Sequence, residues 1–315
     1  MNDHLSISIV VPVFNEVDSL KNFYSEVKDI LYRYSEHEII FIDDGSNDGS
    51  NKIIRELAEN DPCITMIRFF KNYGKADALS EGFKYVEGDI IITIDSDLQD
   101  DPSEIPQLIE KIQEGWDVVS GWKKDRKDPL SKTIPSILFN FVTRLLTGIK
   151  IHDFNCGLKA YRKKVVKAVD LYGGMHRYIP ALAGKKGFSI TEVEVNHRPR
   201  EFGVTKYGGN RLLHGFFDLF TMLFTSRYFD RPMHFFGSVG IIFLLISLGC
   251  ELFPLYERLI NGIPFQKHFA LIVFGAMVFV LGLWFFSIGL LGELFIKSSG
   301  SSDNKVHSVY SSKQG

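Results

Sequence analysis

The sequence has little net charge, few cysteines and neither of the two common nucleotide-binding loops. Its 36 Lys and Arg residues against 38 Asp and Glu residues give a formal net charge of −2, which argues against a nucleic-acid partner. Its 3 cysteines lie far apart without CxxC spacing, which indicates neither a disulfide framework nor a zinc site. Neither GxGxxG nor GxxxxGK[ST] occurs, so any bound nucleotide must be held by a different kind of loop.

Only five charged residues lie between Met233 and Ile296. Residues 232–250 and 269–292 contain no Asp, Glu, Lys or Arg. Crossing the hydrocarbon core of a bilayer takes about 20 apolar residues, so each run is long enough to span it. The sequence therefore predicts a two-helix transmembrane hairpin over 232–296 and excludes a purely soluble protein.

Basic residues flank this predicted hairpin unevenly. Two basic residues, Arg258 and Lys267, lie in the segment that connects the two predicted spans. Five lie before the first span or after the second, namely Arg227, Arg231, Lys297, Lys305 and Lys313. The positive-inside rule then predicts that both termini lie in the cytoplasm. Met1–His4 lacks the features of a secretory signal, so we also expect the first 230 residues to stay in the cytoplasm. We expect a multi-pass protein of the cytoplasmic membrane, divided into a cytoplasmic domain (1–208), interfacial amphipathic helices (209–231), the hairpin (232–296) and a disordered tail (297–315).

Short β-branched runs alternate with helical patterns in the first half of the chain. This alternation predicts an α/β domain with a mostly parallel sheet covered by helices. Ligands of such sheets bind beyond the carboxyl ends of the strands. Strands are predicted at Ser6–Val13, Glu38–Ile42, Thr65–Phe69, Asp89–Ile94, Asp117–Ser120 and Ile190–Val195, and further helices at Leu130–Thr147 and Lys163–Leu171.

An acidic pair, Asp95 and Asp97, closes the predicted fourth strand. Alternation in an extended segment projects both carboxylates to the same side, where they could share one cation. Oxygen-only ligands favour Mg²⁺ or Mn²⁺, which would bridge to a diphosphate. Such a pair is weak evidence alone, because Asp is common after strands.

Four strand ends in order nevertheless carry a matching set of motifs, and further motifs follow in the second half. The pattern resembles the family 2 glycosyltransferases of the GT-A fold, in particular their polyprenyl-phosphate branch, which includes the dolichyl-phosphate mannose synthases. The resemblance covers residues 5–296. Its motifs are Pro12-Val13-Phe14-Asn15-Glu16, Asp43-Asp44-Gly45-Ser46, Asn72-Tyr73-Gly74-Lys75, Asp95-Ser96-Asp97, Asp153-Phe154-Asn155-Cys156-Gly157, Asn196-His197-Arg198-Pro199-Arg200 and Gly203-Val204-Thr205-Lys206-Tyr207-Gly208.

The resemblance implies roles for residues on the donor side of the site. Pro12, Asn15 and Glu16 would border the nucleoside and Asp44 would contact the base or ribose, although Asn15 and Glu16 also suit a capped turn. Asp95 and Asp97 would form the acidic metal-binding pair, with Asp97 as the direct metal ligand and Gln99 as a candidate third ligand. Lys75 either reaches the donor or is a solvated lysine of the first helical turn.

The family reaction is an in-line attack of a lipid phosphate oxygen on the anomeric carbon of a nucleotide sugar, with inversion. Because the phosphate is already ionised, cations matter more than a strong base. We favour Arg126 for the acceptor phosphate and Arg200 with Lys206 for the donor diphosphate; otherwise these are basic loops at a membrane surface. The remaining candidates are Lys123 and Arg198 as phosphate ligands and Asp153 as sugar-orienting residue, assisting base or turn residue.

The resemblance thus predicts an enzyme that transfers a sugar from a nucleotide sugar to polyprenyl phosphate at the cytoplasmic membrane face. We favour UDP-glucose over GDP-mannose as the donor. A processive polysaccharide synthase and a catalytically inactive membrane scaffold are the alternatives; the first usually has a QxxRW segment, which this sequence lacks. Glycines in the two spans also suggest packing between copies of the chain, and hence a homo-oligomer.

Overall fold

The computed structural model describes residues 5–124, 130–169, 171, 175–199, 221, 224 and 231–299. The chain separates into two compact units, with the division between residues 223 and 224. The predicted interfacial helices and tail lie almost entirely outside the described residues. The predicted domain limits at 208, 231 and 296 therefore stay predictions.

The first unit is built on a seven-stranded sheet whose order is β3-β2-β1-β4-β6-β5-β7. All adjacent pairs are parallel except the two that involve β6, which runs antiparallel to β4 and β5. The α/β fold expected from the sequence is confirmed. The strands are β1 (Ser6–Val13), β2 (Glu36–Asp43), β3 (Ile64–Arg68), β4 (Ile90–Thr93), β5 (Val118–Trp122), β6 (Lys159–Arg162) and β7 (Ile190–Glu194).

Helices cover both faces of this sheet, which explains why its strands are apolar on both sides. Ile9 and Val11 of β1 belong to one buried cluster, and Val10 between them belongs to the other. Successive strand residues point to opposite faces, so each strand contributes to two cores. The helices of this unit are α1 (Leu20–Leu31), α2 (Ser50–Asn60), α3 (Lys75–Tyr85), α4 (Ile105–Gln113), α5 (Leu130–Thr147), α6 (Lys163–Ala168) and α7 (Ile179–Lys185).

The described part of the second unit is a pair of long apolar helices, α8 (Pro232–Ile260) and α9 (Phe269–Ser299). Both are long and apolar enough to cross a membrane, and only 17% of the most apolar window of each is buried. A core helix of a soluble protein would be mostly buried, so these two helices match membrane spans in length, composition and exposure.

Glycines set how closely α8 and α9 pack. A methyl group on Gly240 would lie 2.8 Å from the Gly282 carbonyl oxygen, and one on Gly275 would lie 2.6 Å from Glu251 Oε1. Small residues of this kind allow helix backbones to approach within a bilayer. These glycines face the other helix of the same hairpin, so they do not by themselves support contact between copies.

Candidate active site

A cleft of about 360 Å³ opens where β1, β2 and β4 end. Neighbouring parallel strands bring their carboxyl ends to the same edge of the sheet, and α/β folds bind their ligands at this edge. Several residues that the sequence predicted for the site line this cleft. The lining residues are Pro12, Val13, Phe14, Glu16, Asp44, Asn72, Gly74, Lys75, Asp95, Ser96 and Asp97.

Hydrogen bonds tie the loops that follow β1 and β2 to each other. The Asn15 backbone N–H donates to Ser46 Oγ at 3.0 Å, and the Asn15 side-chain oxygen accepts from the Asn47 N–H at 2.9 Å. The Glu16 N–H donates to Ser50 Oγ at 2.9 Å. Asn15 therefore has a structural task between the two loops, while Glu16 is also part of the cleft wall.

Asp44 fastens the loop after β3 to the end of β2. Its carboxylate accepts the backbone N–H groups of Tyr73 at 2.7 Å and Gly74 at 2.9 Å. Burial raises the pKa of Asp44 above its ordinary value, and the two backbone donors only partly oppose this effect. The side chain thus both shapes the cleft and lines it.

Gly45 lies where two loops come too close for a side chain. Its φ is +72°, and a methyl group there would lie 2.5 Å from the Lys71 carbonyl carbon and 2.8 Å from the Asn72 nitrogen. Both the left-handed backbone and the missing side chain are therefore required at this position. Gly45 keeps the Asp44 loop against the loop that carries Asn72.

We expect Gly45→Ala to lower the free energy of unfolding by about 2 kcal/mol or more, because backbone strain adds to the clash. Thermal denaturation of the solubilised protein measures this change. Gly49→Ala is the matched control, since Gly49 has a φ of +103° but its added methyl group would meet no atom closer than 3.8 Å. Equal melting temperatures for the two variants would contradict the close approach at Gly45.

Lys75, in the first turn of α3, lies directly against Asp95. Its ammonium nitrogen is 2.5 Å from Asp95 Oδ1 and 2.7 Å from Oδ2. Burial opposes ionisation of Asp95, but the Lys75 ammonium, helped by Lys123 and Lys159, outweighs it and holds the pKa of Asp95 below its usual range. The sequence left two possibilities for Lys75, a contact with the donor or a solvated side chain. The side chain is only 22% exposed and is paired with Asp95, which does not match a solvated lysine.

Asp97 reaches the same cleft from the turn after β4. Its Oδ1 accepts the Gln99 backbone N–H at 3.2 Å, across Leu98, whose φ is +59°. Gln99 is half-buried and is not among the residues that line the cleft. The geometry therefore brings Asp95 and Asp97 together at the cleft and leaves Gln99 at its edge.

The donor set at this place fits a hard divalent cation. Asp95 and Asp97 provide carboxylate oxygens, the ligands that Mg²⁺ and Mn²⁺ prefer. Among the described residues, no group of three or more His, Cys, Asp or Glu side chains could hold a metal on its own. A cation bound between Asp95 and Asp97 would need further oxygens from a phosphate group and from water.

A buried charged network lies behind the acidic pair. Lys123 is 2.6 Å from Asp100 Oδ1, and the side chains of the two are only 13% and 1% exposed. Burial alone would lower the pKa of Lys123, but the attraction of Asp100 reverses this effect and raises it. The sequence predicted Lys123 as a phosphate ligand, whereas the structure gives it an internal carboxylate as partner.

Cys156, Gly157 and Lys159 complete this network. Burial raises the pKa of the Cys156 thiol to about 12 and lowers the pKa of the Lys159 ammonium, which donates to the Cys156 carbonyl. A methyl group on Gly157 would lie 2.6 Å from Asp95 Oδ2 and 2.8 Å from Asp100 Oδ2. The absence of a side chain at Gly157 therefore lets both carboxylates take their places.

Asp153 and Arg198 have partners that suit a structural role. Asp153 is 1% exposed, and its Oδ1 accepts the Asn155 N–H at 2.9 Å, as in the turn that the sequence allowed. The Arg198 guanidinium lies 2.7 Å from Glu26 and 2.8 Å from Asp101, beside a different cavity. Their predicted substrate roles stay predictions, as do those of Arg126, Arg200 and Lys206, which lie outside the described residues.

The structure adds several residues to the site that the sequence analysis did not predict. Asn72 and Ser96 line the cleft, and Gly45 and Gly157 permit the close approaches behind it. All four stand inside the motifs quoted above, so the motifs themselves were the signal. The buried Lys123–Asp100 pair has no comparable signal, because neither residue belongs to a motif quoted above.

A family model described as glycosyl transferase family 2 matches residues 8–170. The dodecaprenyl-phosphate galacturonate synthase of Rhizobium johnstonii is 34% identical over 300 residues, which cover 93% of this chain and 88% of the relative. The undecaprenyl-phosphate 4-deoxy-4-formamido-L-arabinose transferase of Shewanella sediminis is 36% identical over 289 residues, which cover 91% and 86%. Similarity to these named enzymes therefore extends across the apolar helices as well as the α/β domain.

Solved structures agree on the fold of the α/β domain. A glucosyl-3-phosphoglycerate synthase from Mycobacterium tuberculosis, solved with Mn²⁺, uridine diphosphate and phosphoglyceric acid, matches with a TM-score of 0.55 and 18% identity. The match covers 70% of this chain and 78% of the other. At this identity the likeness concerns the fold alone. The family model and the two relatives show that the chain belongs to the family 2 glycosyltransferases, in the branch whose members are named for polyprenyl-phosphate acceptors.

Proposed function

We propose that the chain transfers a sugar from a nucleotide sugar to polyprenyl phosphate at the cytoplasmic face of a membrane, with inversion at the anomeric carbon. The observation that carries this proposal is the acidic cleft at the ends of β1, β2 and β4, with Asp44, Asp95 and Asp97 in its wall. The same chain has two helices of membrane-spanning length. The acidic cleft suits a nucleotide donor bound with a cation, and the two helices would hold the enzyme at the membrane that contains the lipid acceptor.

The proposed chemistry needs little base catalysis. An oxygen of the lipid phosphate forms the new bond to the anomeric carbon while the bond from that carbon to the nucleoside diphosphate breaks. The diphosphate leaves with the electron pair, and the ionised phosphate has no proton to give up. The site must therefore bring two anions together and stabilise the leaving diphosphate.

Asp95 and Asp97 are the residues that would hold Mg²⁺ or Mn²⁺. A divalent cation supplies charge neutralisation for the departing diphosphate. We assign Asp44, whose carboxylate accepts two backbone N–H groups, to the nucleoside, together with Pro12 and Glu16 of the same cleft. Lys75 lines the same cleft, and its ammonium group lies 2.5 Å from Asp95 Oδ1.

Further cations are proposed from the basic motifs of the chain. Arg126 is assigned to the acceptor phosphate, and Arg200 with Lys206 to the donor diphosphate. A guanidinium group forms two parallel hydrogen bonds with phosphate oxygens, which fixes both position and orientation. These assignments rest on the sequence alone, since the three residues lie outside the described structure.

Replacing Arg200 by lysine should lower kcat/KM by about tenfold or more, because the charge survives but the planar fork is lost. Initial rates over a range of donor concentrations provide the measurement. Arg55→Lys, on the exposed side of α2, is the matched control and should leave the rate unchanged. Wild-type kcat/KM in the Arg200→Lys variant would show that Arg200 is an ordinary surface charge.

The membrane is both the location of the protein and the source of its acceptor. We propose that α8 and α9 cross the cytoplasmic membrane with both termini in the cytoplasm, in keeping with the basic residues that flank the hairpin. A homo-oligomer stays part of the proposal, and its test is the mass of the solubilised protein.

The donor is best found with a panel of nucleotide sugars. UDP-glucose is the donor favoured from the sequence, and the names of the relatives add galacturonate and 4-deoxy-4-formamido-L-arabinose donors. Purified protein in vesicles with undecaprenyl phosphate and Mn²⁺ should label the lipid from one UDP sugar of the panel and not from GDP-mannose. No labelled lipid from any donor would contradict the proposed function.

A further inference from the structure

A histidine outside the acidic cleft is fixed by three contacts although much of its side chain is exposed. His152, in the connection between α5 and β6, has a side chain that is 47% exposed. Its Nδ1 donates to Glu192 Oε1, and its backbone N–H donates to Glu192 Oε2 at 2.6 Å. The imidazole ring also stacks on the Trp122 indole, with ring centres 4.2 Å apart and planes 16° from parallel. Glu192 and Trp122 together therefore determine how this ring is oriented.

The second ring nitrogen of His152, Nε2, has no partner among the residues that the structure describes. A carboxylate only accepts hydrogen bonds, so Nδ1 carries the proton on the side of the ring that faces Glu192. Nε2 can then accept a hydrogen bond, and it donates one when the ring is protonated. Ordering an exposed side chain costs conformational entropy, and binding sites use such order to meet a ligand in one geometry.

This cluster of His152, Glu192 and Trp122 lies at the same edge of the sheet as the acidic cleft. Thr93 of β4 and Ser120 of β5 are both register partners of Lys159 in β6, which lies between them. Two residues farther along the chain, Asp95 and Trp122 therefore come level at this edge. Neighbouring strands are about 4.8 Å apart, so the ends of β4 and β5 are separated by about 10 Å.

The order of the strands relates this cluster to one part of the proposed reaction. The nucleoside is assigned to Asp44, after β2, and the cation to Asp95 and Asp97, after β4. A donor that extends in this direction carries its sugar toward β6 and β5. An in-line displacement brings the acceptor to the anomeric carbon from the side opposite to the leaving diphosphate. The acceptor phosphate therefore approaches from the side of β5, where His152 lies.

We propose that His152 binds the phosphate group of the acceptor through Nε2, and that Glu192 and Trp122 are positioning residues that fix the imidazole ring. The chemistry recognised is a phosphate monoester on an isoprenyl chain. A proton between Nε2 and a phosphate oxygen makes a hydrogen bond whichever of the two carries it, and a protonated ring makes that bond charge-assisted. The identity of this ligand rests on the proposed function.

Two substitutions of His152 separate phosphate binding from a purely structural role. Asparagine keeps an N–H group near the place of Nδ1, toward Glu192, but has no atom at the place of Nε2. Glutamine offers an N–H group near the place of Nε2 and loses the contact with Glu192. His152→Asn should therefore lower kcat/KM for the acceptor about tenfold to a hundredfold, with the donor KM and the melting temperature unchanged. His152→Gln should lose less.

The opposite order, with His152→Gln the more damaged variant, would overturn the proposal, because it would mean that the histidine only ties its loop to β7. His37→Asn is the matched control. The His37 Nδ1 also donates to a fixed acceptor, the Tyr34 carbonyl oxygen at 3.0 Å, but His37 lies near the start of β2, at the opposite edge of the sheet. This variant should keep the wild-type kcat/KM for both substrates.

The length of the acceptor identifies which phosphate group His152 binds. The full chain in phosphatidylcholine vesicles is assayed with undecaprenyl phosphate and with water-soluble geranyl phosphate. The loss in His152→Asn should be equal for both acceptors to within about twofold, because the contact is with the phosphate they share. A loss confined to undecaprenyl phosphate would overturn the proposal in favour of a contact with lipid headgroups.

Nuclear magnetic resonance tests the contact without requiring turnover. The full chain with ¹⁵N-labelled histidine rings, in phosphatidylcholine nanodiscs, is titrated with geranyl phosphate, and the His152 signals are identified by their absence in His152→Asn. The Nε2 signal should shift with geranyl phosphate and not with geraniol. No shift, or equal affinity for inorganic phosphate, would overturn the proposal. If the wild type transferred no sugar to either acceptor, the proposed function would fail, and this titration would still decide whether His152 binds the phosphate.

Discussion

Asp97→Ala is expected to abolish sugar transfer while the protein stays folded and membrane-bound. The change removes a carboxylate from the wall of the cleft and creates no apolar cavity, since Asp97 lies in a half-buried turn after β4. Loss of a group that stabilises the leaving diphosphate should lower the rate by about 10²-fold to 10³-fold or more. Initial transfer rates at saturating Mn²⁺, with melting temperatures of the same samples, measure both parts.

The matched control is Asp29→Ala, which removes an exposed carboxylate from α1. Its rate and melting temperature should equal those of the wild type. If Asp97→Ala kept most of the wild-type turnover at saturating Mn²⁺, the assignment of the acidic pair to a metal would be wrong. A large fall in melting temperature would instead indicate that Asp97 maintains the fold.

Lys123→Ala is expected to destabilise the protein strongly. The substitution leaves the buried Asp100 carboxylate without its partner at 2.6 Å. Breaking one side of a buried ion pair costs about 3–5 kcal/mol of unfolding free energy. Chemical denaturation followed by tryptophan fluorescence measures the change, and Trp122 next to Lys123 places a reporter close to the pair.

Lys124→Ala is the matched control for this prediction. Lys124 pairs with Glu194 at 2.7 Å, but both side chains are more than half exposed, so the loss should be about 0–1 kcal/mol. Removing both buried charges, by Lys123→Met with Asp100→Asn, should recover most of the stability lost in Lys123→Ala. A folded Lys123→Ala protein of normal stability that has lost transfer would favour the phosphate-binding role predicted from the sequence.

Most strands of the sheet could be predicted from the sequence, because parallel strands covered by helices on both faces have continuous apolar sequences. Strand β6 was missed. It has only four residues, Lys-Ala-Tyr-Arg, with charged residues at both ends. Its strand conformation comes from its place between β4 and β5, where Ala160 and Tyr161 are completely buried. The β propensity of these four residues does not reveal this position, because strand formation here depends on tertiary packing.

Part of the site could also be predicted from the sequence, and part could not. That Asp44, Asp95 and Asp97 share one cleft followed from the rule that the carboxyl ends of parallel strands meet at one edge. The partners of the cations could not be predicted in this way. Lys75 and Lys123 look alike in sequence, but one faces the cleft and the other is paired inside the domain. Which lysine is buried depends on packing between loops that are distant in sequence.

The products of a single reaction test the central claim most directly. The purified chain in vesicles, given its donor and undecaprenyl phosphate, should release one nucleoside diphosphate for each lipid molecule glycosylated. The lipid product should contain a single phosphate joined to the anomeric carbon, with the configuration opposite to that of the donor. Mass spectrometry and nuclear magnetic resonance of the lipid decide both points. A nucleoside monophosphate with a lipid diphosphate sugar, a retained configuration, or free sugar without lipid product would contradict the account.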